Sequence, residues 1–293
     1  MKRKTAIIWF IIFIIIILLF ALFIYSYYLF VNSQDAYFVN ETFTIANWNL
    51  QVFGDKKANN TQVTDYYADI ISDYDIIFLQ EIRDKDGSAF NELCARLPEY
   101  ECLLSSRAGR SSSKEQYGII YLERFNISMH DYNPDSLDRW ERPPIRAKIS
   151  INNYSIIAYN IHTRPDDASD EIYSIEELIE NDRTNYVINE NIMVLGDLNA
   201  DCGYYNENYE TAFSKLRGWH WIIKDSDDTT AGYSDCAYDR IILNNNANEE
   251  YVSYGVVHTK YSDHYLIWVR LRSTDYYKDK TFKAYVRYIG LTR

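Results

Sequence analysis

Hydrophobic and polar positions change period in short blocks along most of the chain. Residues 43–50 read as a strand, 62–71 as a helix and 75–79 as a second strand. Strand patterns recur at 101–104, 117–122, 145–149, 154–161, 192–195, 238–243, 252–257 and 265–271, and helical ones at 88–97, 171–190 and 207–216. Some strands follow one another directly and others are separated by helices, an order that predicts an α+β fold of two packed sheets flanked by helices. There is no internal sequence repeat and no long linker rich in Pro, Gly or Ser, so one domain accounts for most of the chain.

One block breaks the pattern. Residues 6–24 are 19 consecutive apolar residues behind Lys2, Arg3 and Lys4. At about 1.5 Å per residue, such a helix crosses most or all of a bilayer's hydrocarbon layer. The leading positive charges hold the N-terminus on the cytoplasmic side. The reading is an uncleaved signal anchor, one transmembrane helix that places the rest of the chain outside the cytoplasm with the lipid bilayer as a partner. A cleaved signal peptide, which would leave the protein secreted, and a buried soluble helix are the alternatives. The run exceeds the usual apolar core of a signal peptide, no clear Ala-x-Ala site follows it, and it has no polar face. The chain then divides into an anchor and stem (1–36), a folded domain (37–273) and a C-terminal tail (274–293).

Composition sharpens this division. Of the 293 residues 47% are hydrophobic and 25% charged, enough for a large core, and the formal charge is −12. Residues 1–36 hold three positive charges against Asp35, so the remainder is more acidic than the whole. That excludes a protein that grips nucleic acid through a globally basic surface, but not one that gathers divalent cations in a local carboxylate cluster. The tail carries five basic residues against Asp275 and Asp279, a candidate contact for DNA or an anionic membrane surface. A flexible or edge-packed terminus is the plainer reading. Cys94, Cys102, Cys202 and Cys236 allow two disulfides in an exported chain, with three pairings open.

The candidate chemistry sits where strands end. Asn49, Glu81, His162, Asp197 and Asn199 each follow an apolar run, and Asp263–His264 precedes one. Strand ends let a rigid sheet present side chains to one cleft. Carboxylate oxygens suit Mg²⁺, and histidine exchanges protons near neutral pH, so the inventory fits metal-assisted attack of water on a phosphodiester. Taken singly, each residue reads equally well as a turn or surface group. Arg110 and Lys114 lie in a polar loop that could position phosphate, and Glu115 beside them could pair with a histidine. Arg142, ahead of Pro143 and Pro144, suits a rigid bidentate clamp or an exposed arginine on a proline-ordered loop.

These segments carry a closer resemblance. IANWNLQVFG (45–54), YDIIFLQEIRD (74–84), GRSSSKEQY (109–117), ERPP (141–144), IIAYNIHT (156–163), VLGDLNADC (194–202), DDTTAGYSDCAYDRI (227–241) and SDHY (262–265) occur in that order. Together they resemble the deoxyribonuclease I family of the endonuclease/exonuclease/phosphatase superfamily over residues 43–271. The resemblance implies a four-layer α/β/β/α sandwich with two mainly antiparallel central sheets. It implies Glu81, Asn49 and Asp263 at a Mg²⁺ site. His264, oriented by Asp239, would activate water, and His162, oriented by Glu115, would protonate the leaving 3′-oxygen. Asp197 and Asn199 would complete the phosphate and water network, giving 5′-phosphate ends from DNA, double-stranded and cut with little sequence preference by a monomer.

Arg83, Arg110 and Arg142 resemble contacts to the DNA backbone, which set register rather than sequence. Cys202 and Cys236 match a family disulfide; a second family disulfide has no equivalent, and Cys94 and Cys102 could form a local bridge. Asp228 and Thr230 resemble part of a structural Ca²⁺ site, although Gly232 and Ser234 replace threonines there. Gln51 replaces an arginine near DNA, and Ser113 a tyrosine that packs on deoxyribose, changes that weaken or redirect substrate grip. The enzymatic alternative is a phospholipid, sphingomyelin or inositol-phosphate hydrolase of the same superfamily. A catalytically silent nucleic-acid-binding or adhesion protein would not need the full set of site residues.

Overall fold

The computed structural model describes residues 13–25, 42–110, 114–183, 190–206 and 209–273. The chain divides into two units, Met1–Glu41 and Thr42–Arg293. In the first, residues 13–25 form a helix (α1) with exposed side chains. No described helix is long and apolar enough to cross a membrane. The apolar run of 6–24 lies only partly within the described residues; Ser113 and the basic tail lie outside them.

The second unit contains two six-stranded sheets. The first has the order β11-β12-β1-β2-β4-β3, from β1 (Thr42–Phe53), β2 (Ile76–Ile82), β3 (Tyr100–Leu104), β4 (Gln116–Leu122), β11 (Tyr251–Val257) and β12 (Leu266–Arg272). The second has the order β5-β6-β7-β8-β10-β9, from β5 (Asn126–Asp131), β6 (Ile145–Ile151), β7 (Tyr154–His162), β8 (Asn191–Asp197), β9 (Trp219–Trp221) and β10 (Asp239–Asn244). Each sheet contains one parallel pair at its centre, β1/β2 and β7/β8, and is otherwise antiparallel.

The period-2 alternation of strands explains the layers, because successive side chains point to opposite faces. Phe43 and Ile45 on β1 and Ile156 and Ala158 on β7 enter the core between the sheets. Ala46, Trp48 and Leu50 turn outward onto α3 (Thr61–Ile71) and α4 (Ser88–Cys94), which follow the short α2 (Asp55–Ala58). Ile157, Tyr159 and Ile161 turn outward onto α5 (Ala168–Arg183). The four layers and the mainly antiparallel sheets match the sequence-based expectation. The inner core is not wholly apolar: Gln80 donates to Asn47 and Asn160, and Asn160 donates to Asn47 Oδ1 (2.9 Å) and Leu195 O (3.0 Å). These carboxamides cross-link the sheets.

One expectation needs correction, and four short elements add to the pattern. Residues 209–216 form turns and the start of a 3₁₀ segment, not the helix expected over 207–216. Phe213 has φ 51° and is fully buried against Trp219, 4.8 Å between ring centroids. A bulky residue in the left-handed region cannot continue an α-helix, and burial of its ring holds it there. The strands β5 and β9 and the helices α2 and α6 (Asn245–Glu249) were not expected from the pattern. Cys202 pairs with Cys236 (Cα–Cα 5.9 Å), as the resemblance implied, and Cys94 pairs with Cys102 (Cα–Cα 6.5 Å).

Candidate active site

The topology brings the functional side chains to one edge. Parallel partners end together, so β1 and β2 finish near Asn49 and Glu81, and β7 and β8 finish at His162 and Asp197. Their antiparallel neighbours begin where they end. Glu115 immediately precedes β4, Asp239 opens β10 opposite Asp197, Arg142 lies just before β6 and His264 just before β12. Sheet one thus contributes Asn49, Glu81, Glu115 and His264, and sheet two contributes Arg142, His162, Asp197 and Asp239.

Each histidine pairs with a carboxylate from the opposite sheet. His162 Nδ1 lies 2.8 Å from Glu115 Oε1, and His264 Nδ1 lies 2.7 Å from Asp239 Oδ2. Both Nε2 atoms lie 3.4 Å from the same oxygen, Asp197 Oδ2, which also accepts from Asn49 Nδ2 at 3.0 Å. Asn199 is fixed beside them: its N–H donates to Asp197 Oδ1 (3.2 Å) and its Nδ2 to Thr163 O (3.1 Å). A carboxylate on Nδ1 fixes ring orientation and favours the imidazolium.

Burial and charge set the protonation states. Burial works against a charged His264, but Asp239 and Asp197 outweigh it and push the imidazole up to about 10. Burial raises Asp239 to about 6 despite the opposing effect of His264. His162 is also raised: burial disfavours its charged form, and Glu115 and Asp197 overcome both that and Arg142. For Glu115, burial is outweighed by His162, Arg142 and Arg83, which hold it below the usual carboxylate range. Asp197 is likewise held low, against burial, by the two histidines and Asn49. Both imidazoles are thus biased toward their protonated forms by the carboxylates that face them.

The ends of β1 and β2 are strained toward this geometry, where their pairing is irregular between Asn49 and Phe53. Gln51, Val52 and Glu81 have φ of 48°, 55° and 59°, where non-glycine residues cost about 1–3 kcal/mol each. In return, Gln51 N donates to Asn49 Oδ1 (2.9 Å) and Val52 N to Glu81 Oε2 (2.9 Å). Asn49 Nδ2 lies 3.4 Å from Glu81 Oε1, and Arg83 reaches Glu81 Oε2 at 3.1 Å and Glu115 Oε2 at 3.8 Å. Of the expected metal set, Glu81 and Asn49 are together, with Asn49 presenting its amide nitrogen to Glu81. Asp263 is exposed.

Two groups each bring three ligand atoms within 4.8 Å of one another, Glu81, Glu115 and His162 in one and Asp197, Asp239 and His264 in the other. Carboxylate oxygens predominate, a donor set that fits a hard divalent cation.

The remaining expected residues divide by environment. Arg142 is buried; Nε lies 2.7 Å from Glu115 Oε1 and donates to His162 O (2.9 Å), while an NH2 proton goes to Thr163 O (2.8 Å). These bonds tie it to the backbone that carries His162. Arg110 turns to Asp138, at 2.8 Å from Oδ1. Thr230 donates to Asp228 Oδ1 through N (3.0 Å) and Oγ1 (3.2 Å), closing a turn.

Sequence reasoning missed the groups that lock these loops. Lys57 donates to Gln51 O, Tyr261 O (2.6 Å) and Leu50 O (2.7 Å), tying β1 to the loop that carries His264. Apart from the Tyr67 hydroxyl (3.4 Å), its partners are backbone carbonyls up to 204 residues away, which leave no sequence signal. Ser262 Oγ donates to Asn49 O (2.6 Å) and accepts from His264 N (3.1 Å), while Tyr117 OH accepts from His162 N (3.1 Å). Both lie inside the matched segments and could have been singled out there.

Residues 46–264 match the model of the endonuclease/exonuclease/phosphatase family. Deoxyribonuclease-1 of Gallus gallus is 33% identical over 235 residues, covering 74% of this chain and 82% of that protein. Deoxyribonuclease-1 of Homo sapiens is 30% identical over 220 residues, covering 68% and 76%. Among solved structures, a mannosyl-6-phosphatase of Bacteroides thetaiotaomicron superposes with a TM-score of 0.59 at 16% identity, over 78% of this chain and 98% of that one. That likeness is one of fold.

Proposed function

The chain belongs to the endonuclease/exonuclease/phosphatase family as a deoxyribonuclease I-like member, and from that membership we propose that it hydrolyses DNA phosphodiester bonds in a divalent-metal-dependent reaction. The observation that carries the reading is the convergence of both histidine Nε2 atoms on Asp197 Oδ2, each ring backed by a buried carboxylate from the other sheet. One proton acceptor and one proton donor flanking a phosphorus atom are what hydrolysis of a diester requires.

His264 takes the proton of the attacking water as the oxygen–phosphorus bond forms, and Asp239 stabilises the imidazolium. His162 gives its proton to the 3′-oxygen as the phosphorus–oxygen bond breaks, with Glu115 holding the ring. The phosphate stays on the 5′ side. Asp197 and Asn199 position the phosphate and water, and Glu81, with Asn49 and Asp263, would hold Mg²⁺. When bound, the cation neutralises charge growing on the phosphate and lowers the affinity of nearby histidines for protons. Arg83, at the rim, and Arg110 and Arg142 are the proposed DNA contacts, and contacts of this kind imply little sequence preference.

The N-terminal apolar run is proposed to anchor the protein in a membrane with the catalytic unit outside the cytoplasm. Lys2, Arg3 and Lys4 before it and the two disulfides support that orientation. Ca²⁺ at Asp228 and Thr230 is proposed as a structural addition.

The test of the chemistry uses supercoiled plasmid. With Mg²⁺ the full chain is expected to convert it to nicked circles whose ends are sealed by a DNA ligase without prior kinase treatment, and a chelator is expected to stop the reaction. Nicking that persists in chelator, or ends that a ligase cannot seal, would contradict it.

A further inference from the structure

The segment that fails to form a helix walls a second cavity of about 380 Å³, behind the loop that follows β8. None of the catalytic side chains lines it, yet Ala200 and Arg240 do, the immediate neighbours of Asn199 and Asp239. Its volume falls in the range of small-molecule sites.

One side is aromatic. Tyr205 and Trp221 lie 5.8 Å apart between ring centroids at 35°, and the indole N–H of Trp221 donates to Phe213 O (3.1 Å), which holds the ring in place. The polar side carries an excess of positive charge in a protein of net charge −12. Arg240 is 1% exposed; it donates to Ala200 O and Asp225 Oδ1, both at 2.6 Å, while its buried Nε has no hydrogen-bond partner. Asp225 is thereby engaged. Lys215 is exposed and its side chain has no hydrogen-bond or ion-pair partner among the described residues; Lys224 also lines the cavity and donates one ammonium proton to Trp221 O (2.5 Å), leaving two for a ligand. Glu210 remains as an acceptor.

We propose that this cavity is a second binding site, separate from the catalytic cleft, for a nucleoside 5′-monophosphate. The base stacks against Trp221 and Tyr205, with Glu210 accepting from its amino group, and the phosphate is held by Lys215 and Lys224 with Arg240 behind them. Flat rings have a face that stacks on aromatic side chains, and phosphate gains most from partly buried cations. A planar ring bearing negative charge is what the walls select; the choice of a nucleotide among such anions rests on the DNA-cleaving reading. Arg240 ties the occupant to catalysis, since the same guanidinium holds the carbonyl next to Asn199.

The experiment is calorimetric titration of the full chain with 2′-deoxyadenosine 5′-monophosphate in chelator, which removes divalent metal from the catalytic cleft. The expected result is one molecule bound per chain with Kd below about 1 mM, weakened about tenfold or more by Lys215→Glu and unchanged by His162→Ala. Trp221→Leu, checked for an intact thermal transition, should also weaken it, and deoxyadenosine without phosphate should bind less well. Absence of binding, an unchanged Kd in Lys215→Glu, or loss in His162→Ala would overturn the site. Equal affinity for salicylate would overturn the nucleotide assignment. Lys215-dependent binding by a chain that does not cut DNA would leave the cavity standing and remove the catalytic reading; cutting without binding would do the reverse.

Discussion

Replacing His162 or His264 with alanine is expected to lower the rate of plasmid nicking by about 10²–10⁴-fold, the span usual for loss of a general acid or base. The two sites are not equivalent in what they leave behind. Without His162, Glu115 still faces Arg142 at 2.7 Å and Arg83 at 3.8 Å, so its buried charge stays compensated and the fold should hold. Without His264, Asp239 loses its close partner; it is already raised to about 6 by burial, and it should take up a proton near neutral pH rather than remain a bare buried charge. His264→Ala is therefore expected to cost more stability, and His264→Gln is the gentler companion. Because both rings serve one displacement, the double variant should be little slower than the worse single one. Single-turnover nicking rates, with thermal melts as controls, check this. A single variant within tenfold of the wild type would remove that ring from the reaction.

Gly196→Ala is expected to cost about 3–5 kcal/mol, from a backbone region reserved for glycine combined with overpacking in a closed core. Gly196 has φ 149°, and an added Cβ would lie 1.9 Å from Ile161 O and 2.9 Å from Ile161 C. Both contacts are backbone atoms of the paired strand β7, so no side chain can swing aside. The close approach is what sets Asp197 level with His162. A domain of this size should lose roughly 6–20 °C in Tm for that change. The surviving folded fraction should cut DNA more slowly, because relief of the clash moves Asp197. A Tm within about 2 °C of the wild type would contradict the packing account.

The central strands could be read in the sequence as short apolar runs bounded by polar residues, as in Ile156–Ile161, which is buried on both faces. Elements that carry little apolar patterning could not: β5 buries Ile127 between exposed Asn126 and Ser128, β9 has three residues, and α2 and α6 are too short to show a helical period. The error at 207–216 came from composition without spacing, since Ala212 and Phe213 are adjacent and Leu216 is fully exposed. At the site, strand-end positions pointed to Asn49, Glu81, His162 and Asp197. The pairings Glu115–His162 and Asp239–His264 span the two sheets, and no spacing within either strand encodes them; the family resemblance supplied them. Arg142 was read as a phosphate clamp or an exposed arginine; it is buried, and its described partners are Glu115 and two carbonyl oxygens of its own chain, pairings that a place ahead of two prolines does not encode. Lys57 left no trace because it grips carbonyls that any residue could provide.

The most direct test is a comparison of kcat/KM for the full chain on three substrates under one set of Mg²⁺ conditions: duplex DNA, a sugar 6-phosphate, and phospholipid or sphingomyelin in micelles. The histidine pairs on Asp197 and the deoxyribonuclease I-like membership predict turnover of duplex DNA that falls away in His162→Ala and His264→Ala, with the phosphomonoester and the lipid left essentially intact. Turnover of the sugar phosphate or the lipid with DNA uncut would contradict the account.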